Sequence, residues 1–160
     1  GPQAGLMRIT VHSAAGRMPS WVEQGVTEYT RRLPREMKLE WRTVPLARRQ
    51  AQGDDQRRAE GEALLRGIRD DEHCVALDVR GKPWSTEDVA EQLRGWLMQG
   101  SPLGLLIGGP DGLSEACLQR ARQRWSLGPL TLPHPLVRIV LAEQLYRAWT
   151  VTVGHPYHRA

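Results

Sequence analysis

At 160 residues, 40% apolar and 25% charged, the chain has the size and composition of one globular domain with a real core. No apolar run approaches the roughly 20 residues of a membrane span, and no charged-then-apolar signal peptide is read at the start. The net charge of +4 makes a polyanionic partner plausible without requiring one.

Residues 1–6 read as a cloning remnant before a natural start at Met7, which leaves a single domain over 7–160. Alternation from Leu6 to His12 predicts a first strand. Gly16 breaks it, and Pro19 suits the first turn of a helix. That helix carries Trp21, Val22, Val26 and Tyr29 and runs to about Leu33-Pro34. Met37 to Val44 alternates again, with Met37, Leu39, Trp41 and Thr43 on one side. Arg48 to Arg58 is charged and leads into a helix from about Asp55 to Gly67. It reads either as a mobile loop or as a set of RNA-contacting arginines, Arg48, Arg49, Arg57 and Arg58. His73 to Val79 is an apolar strand of the buried, parallel type. Ser85 caps a helix over Thr86 to Gln99, whose Val89, Leu93, Trp96 and Leu97 share a face.

Leu103 to Ile107 is a buried strand that stops abruptly at Gly108-Gly109-Pro110-Asp111-Gly112. Ser114 opens a further helix, with Arg120, Arg122 and Arg124 alternating towards its end. Trp125 to Leu132 is irregular and partly apolar. Leu136 to Val151 is a long helix, apolar around more than one stripe, which needs cover on two sides and suggests a dimer interface. Gly154 ends it, and the tail is His155-Pro156-Tyr157-His158-Arg159-Ala160. Strand and helix alternate about five times, so the expected fold is α/β, a mainly parallel sheet with helices on both faces.

Several chemistries are missing. There is no GxGxxG after the first strand, no GxxxxGK[ST] and no GxSxG. Cys74 and Cys117 form no CxxC pair, so no zinc framework exists, and a reducing, cytoplasmic setting fits. His155 and His158 have no carboxylate cluster beside them, and no metal site is expected. What remains is the glycine turn at Gly108, which would let a backbone approach a ligand closely at the end of a buried strand. Asp78 and Gly81 stand at a second strand end and could form the adjacent wall. Leu127 to Leu132 is either a core-plugging loop or one that offers apolar surface and amides to a flat heterocycle. In the tail, a histidine could accept a proton near neutral pH, and Arg138 or Arg159 could bind phosphate or steady an anion.

Taken together, LLIGGPDGL, WSLGPLTLPHPLVRIVLAEQLYRAW and the terminal HPYHR resemble the SPOUT methyltransferases, in particular their ribosomal large-subunit methyltransferase H type. Gly16-x-Met18-Pro19-x-Trp21, Thr27-Glu28-Tyr29 and Leu77-Asp78-x-x-Gly81-Lys82-Pro83-Trp84 agree, so the likeness runs from Met7 to Arg159. The resemblance implies a C-terminal trefoil knot and a homodimer. It implies S-adenosylmethionine as cofactor and methyl transfer to N3 of a pseudouridine in large-subunit ribosomal RNA on the assembled ribosome. By the same carry-over, Leu77, Gly108 and the loop Leu127, Gly128, Pro129, Leu130, Thr131 and Leu132 hold the cofactor. His155, Tyr157, His158, Arg159 and Arg138 are the catalytic candidates. One departure stands out: Pro129 offers no backbone donor where the family loop often has one, which leaves the amides of Gly128, Leu130 and Leu132. The competing readings are a non-catalytic RNA-binding or nucleotide-sensing domain, and a methyltransferase for another RNA such as a transfer RNA.

Overall fold

The structure, a computed structural model, describes residues 6–46 and 53–159. Arg48 and Arg49 lie outside the described residues. Five strands form one parallel sheet in the order β2-β1-β4-β3-β5: β1 Met7–Ala14, β2 Met37–Val44, β3 His73–Lys82, β4 Leu103–Ile107 and β5 Gln123–Trp125. The helices are α1 Ser20–Thr30, α2 Asp54–Arg66, α3 Thr86–Gln99, α4 Glu115–Arg120 and α5 His134–Val153, followed by a 3₁₀ turn over Pro156–Arg159.

The sheet is buried on both faces, as a parallel sheet must be. One face carries Ile9, Val11, Val75 and Leu105, which pack on Val89, Leu93 and Trp96 of α3 and on Leu141, Leu145 and Ala148 of α5. The other face carries Ala14, Val44, Cys74 and Leu106, which pack on Leu64 of α2 and Cys117 of α4. Both cysteines are free and buried.

Local chemistry explains the ends of α3. Ser85 and Asp88 form a capping box, each side chain accepting from the other's backbone N–H. Gly100 closes the helix at φ +77, a value that favours glycine. Gly95 lies exposed inside α3 with open space where a Cβ would stand. Gly95→Ala is therefore expected to stabilise the fold by about 0.5–1 kcal/mol, read as a higher denaturant midpoint with an unchanged slope.

Element ends shift by up to about three residues, as where α1 stops at Thr30 and β1 runs on to Ala14, and three differences from the sequence reading matter for the site. The helix opened by Ser114 ends at Arg120, because Ala121 turns to extended backbone and the Arg122 N–H donates to the Cys74 carbonyl at 2.8 Å. The sheet thus captures Gln123–Trp125 as an edge strand, and Arg122 and Arg124 do not ride on a helix. β3 continues three residues past Val79, to Lys82. Finally, the two-sided cover that α5 requires comes from α1 and α3 of the same chain as well as the sheet, so its apolar girth does not by itself call for a partner.

On the α2 face lies a buried polar network. His12 is fully buried, and its Nε2–H donates to Oε2 of Glu72 at 2.9 Å. Its Nδ1 accepts from Nε of Arg42 at 2.8 Å, which assigns the neutral tautomer with the proton on Nε2. Oε1 of Glu72 accepts the Arg69 N–H at 3.1 Å.

Candidate functional site

Three backbone features meet at the carboxyl ends of β3 and β4, the place where parallel α/β sheets receive ligands. The first is the turn after β4. Its closing hydrogen bond runs from the Gly112 N–H to the Gly109 carbonyl at 2.9 Å, with Gly112 at φ +83. A Cβ on Gly108 would stand 2.4 Å from the Gly112 carbonyl carbon and 2.7 Å from the Leu113 nitrogen, so only glycine fits. Arg57 of α2 braces this turn by donating to the Asp111 carbonyl at 3.2 Å, and it also pairs with Asp54.

The second feature is a bulge in β3. Leu77 and Lys82 both pair with Trp125, so residues 78–81 loop out of the ladder. Val79 is exposed, while the Asp78 side chain is tucked against the cavity with Nε of Arg80 at 3.5 Å. Gly81 belongs to the packing and not to the cavity wall: a Cβ there would meet the Arg124 carbonyl carbon at 2.6 Å.

The third feature is the segment between β5 and α5. Gly128 sits at φ +114, and its N–H donates to Oγ of Ser126 at 3.1 Å. That bond occupies one of the three amides left by Pro129, so Leu130 and Leu132 remain as the loop's available donors.

These pieces enclose a cavity of about 500 Å³, within the size range of small-molecule sites, roughly 300–1,000 Å³. Leu77, Gly108, Leu127, Gly128, Leu130, Thr131 and Leu132 all line it; Pro129 does not. Of the lining residues not singled out for this role from sequence, two matter most. Val137 supplies apolar wall. His134, the first residue of α5, has both ring nitrogens buried and neither in a well-formed hydrogen bond, with the Gly108 carbonyl near the ring. Burial lowers its pKa, the Arg138 charge adds to this, and the Gly108 carbonyl opposes it. The signal for His134 was the Pro-His-Pro bracket, which fixes the backbone on both sides of the imidazole.

Arg138 stands one turn further along α5 and faces a second cavity, of about 900 Å³, bounded by Gly16 to Ser20, by α1 and by Trp41. It is only 9% exposed. Its Nη1 donates to Oγ of Ser13 at 3.0 Å, and the guanidinium lies 4.9 Å from the centre of the Trp41 ring. Nε is buried without a partner. Burial lowers its pKa, with Glu23 opposing, yet a guanidinium stays charged at neutral pH. A buried cation held by hydroxyls at a cavity wall is ready for an anion.

The tail lies elsewhere in the single chain. The Tyr157 hydroxyl donates to Oε2 of Glu143 at 2.9 Å, and its ring packs edge-on against Tyr146 at 4.6 Å. Burial and that carboxylate push the phenol up to about 12. The Tyr157 N–H donates to Nδ1 of His155 at 3.1 Å. Glu143 is nine residues beyond His134, about 13 Å along the helix axis. None of His155, Tyr157, His158 and Arg159 lines the cavity at Gly108. Among the described residues no group of three or more His, Cys, Asp or Glu could hold a metal ion, and no helix is long and apolar enough to cross a membrane.

A family model described as a predicted SPOUT methyltransferase matches residues 7–158. A protein of Hahella chejuensis is 54% identical over 155 residues, covering 96% of this chain and 99% of its own; one of Alkalilimnicola ehrlichii is 55% identical over 157 residues, covering 96% and 100%. Both are named ribosomal RNA large subunit methyltransferase H. Among solved structures, a probable methyltransferase of Bordetella pertussis superposes with a TM-score of 0.58 at 16% identity, over 91% of this chain and 96% of that one. A probable methylase family protein of Haemophilus influenzae gives 0.54 at 11% identity, over 97% and 71%. Those two likenesses are of fold; the match of the family model over nearly the whole chain, with the parallel sheet and the cavity at its carboxyl edge, places this chain in the SPOUT methyltransferase family.

Proposed function

We propose that the chain methylates N3 of a pseudouridine in large-subunit ribosomal RNA, on the assembled ribosome, with S-adenosylmethionine as donor. The observation that carries this reading is the meeting of the Gly108 turn with the Leu127 to Leu132 loop over one cavity. The residues present suit that cofactor. Leu77, Leu127 and Val137 offer apolar cover for a flat purine, the amides of Leu130 and Leu132 offer donors, and Asp78 and His134 bring polar atoms to the wall. The family relationship and the names of the relatives support the chemistry and the substrate. The trefoil knot comes with the family fold.

When bound, the cofactor supplies an electrophilic methyl group on a sulfonium. The rest falls to the protein. The N3–H of a uracil ring is a weak acid, with a pKa of roughly 9 to 10, close to that of a phenol. Losing it at pH 7 costs about 3 to 4 kcal/mol, at 1.36 kcal/mol per unit. Arg138 lowers that cost by facing the ring anion with a guanidinium, and a tail imidazole, His158 or His155, accepts the proton. Because the tail packs some 13 Å along α5 from the cavity in one chain, a second copy is the simplest source of it. We therefore place the working enzyme as a homodimer, in the cytoplasm with its ribosomes. Exposed Trp21 and Leu136, on α1 and α5, are the apolar residues such a contact would cover.

The test is methylation of intact ribosomes, isolated large subunits and naked transcripts, with the modified nucleoside identified by mass spectrometry. N3-methylpseudouridine formed on the intact ribosome, and little on transcripts, is the expected result. Methylation of transfer RNA instead would change the target, and no methyl transfer despite cofactor binding would favour a binding module.

A further inference from the structure

The least explained side chain in the cavity is His134. Its ring nitrogens are both buried and neither makes a well-formed hydrogen bond, although the Gly108 carbonyl is near the ring. Such an arrangement costs desolvation free energy that a ligand would recover. The ring stands on the wall of the cavity formed by the Gly108 turn, the β3 bulge and the Leu127 to Leu132 loop.

We propose that His134 is a binding residue of this cavity, acting as a neutral imidazole whose protonation state discriminates the sulfonium methyl donor from its thioether product. The inference rests on the cavity being the S-adenosylmethionine site. A neutral imidazole brings one N–H and one lone pair, which suit the ribose hydroxyls, the carboxylate and the ammonium of that molecule. An imidazolium in the same place would repel the sulfonium. In the transfer, the S–CH₃ bond breaks as the N3–CH₃ bond forms, sulfur keeps the bonding pair, and the N3 proton leaves. The product, S-adenosylhomocysteine, therefore lacks the charge that the imidazolium would repel.

The surroundings keep the ring neutral. Burial is the largest influence, and the Arg138 guanidinium one turn along the same helix adds to it. The positive end of α5, at whose first residue the ring sits, acts in the same sense. From the other elements, Arg57 of α2, Asp78 and Arg80 of β3 and Asp111 of the turn line the same cavity. Two cations and two carboxylates nearly offset each other, and Arg138, itself opposed by Glu23, is the cation that acts on the ring.

The coupling must be reciprocal: if protonation weakens sulfonium binding, sulfonium binding must lower the proton affinity of the ring by the same factor. The full-length chain is titrated by imidazole NMR alone, with S-adenosylmethionine and with S-adenosylhomocysteine, and His134→Asn assigns the signal. Calorimetry over pH 7 to 5 gives both dissociation constants for the wild type and for His134→Asn, with His134→Gln as the second variant should Asn fail to fold. We expect S-adenosylmethionine, and not the product, to lower the titration midpoint. We also expect the ratio of donor to product Kd to rise about five-fold towards pH 5 in the wild type and to stay level in the variant. Equal midpoints with both ligands, or the same pH response of the ratio in the variant, overturns the inference while leaving the cofactor site intact. Failure of either molecule to bind the wild type at pH 7 overturns the reading of the cavity and this inference together.

Discussion

Gly108→Ala is expected to weaken S-adenosylmethionine binding by about 100-fold while leaving the circular dichroism of the chain unchanged. The added methyl group has no room. It would lie 2.4 Å from the Gly112 carbonyl carbon, 2.6 Å from the carbonyl oxygen and 2.7 Å from the Leu113 nitrogen. All three are backbone atoms, so no side chain can swing aside, and the turn itself must move. The turn is fastened at two points, by the Gly109–Gly112 hydrogen bond and by the Arg57 donation to the Asp111 carbonyl. Displacement of Gly108 therefore carries residues 108–113 outward and opens one wall of the cavity. The sheet beneath is unaffected, because β4 ends at Ile107. Gly95→Ala, which meets open space, is the matched control. An unchanged Kd for Gly108→Ala in calorimetry would remove the turn from the cofactor site.

The second large effect concerns stability. Glu72→Ala is expected to cost about 3–5 kcal/mol, measured by urea unfolding, because it strips the partner from a buried polar network. Glu72 is 6% exposed and receives both the His12 Nε2–H and the Arg69 N–H. Without it the His12 donor is orphaned in the core, and the Arg42 guanidinium loses its nearest balancing charge. Glu72→Gln keeps an acceptor and is expected to cost less.

The same network sets a pH dependence. A proton added to His12 must go on Nδ1, which already accepts from Nε of Arg42. Burial first, and Arg42 in addition, hold the His12 pKa below 6.5, with Glu72 opposing. The folded chain thus binds this proton less readily than the unfolded chain does. Stability is full above about pH 6.5 and falls as the pH drops through that value towards the folded pKa. His134 shifts in the same direction and adds to the slope. A urea midpoint that stays flat between pH 7.5 and 5 would contradict this.

The elements that sequence made legible are those with a strong local cause. α3 was read to the residue because Ser85, Asp88 and an apolar face mark its length. β4 was read to the residue because an unbroken apolar run meets a glycine turn. The cavity-lining residues Leu77, Gly108, Leu127, Gly128 and Leu130 to Leu132 came from the family likeness, with Gly108 also marked by its place at a strand end. What was not legible depends on distant pairing. β5 is three residues long and exists because β3 offers a free edge; Arg122 before it and Arg124 within it look helical when read alone. The β3 bulge follows from Leu77 and Lys82 sharing one partner, Trp125, which no window of sequence displays. His12, Arg42 and Glu72 are each unremarkable in their own segments, and only the β1–β2 pairing and the turn before β3 bring them together.

The two buried cysteines give the α2 face a further property. Cys74 and Cys117 lie in the core between the sheet, α2 and α4. Burial pushes the Cys74 thiol up to about 11 and raises that of Cys117 as well. Thiolate, the reactive form, is therefore scarce at both sulfurs at neutral pH, and reagent has no route to either while the face stays closed. Alkylation can proceed only in moments when α2 lifts from the sheet. Since α2 also carries Arg57, which ties down the Gly108 turn, the rate at which a thiol reagent consumes these two atoms reports how often the roof of the catalytic domain comes loose.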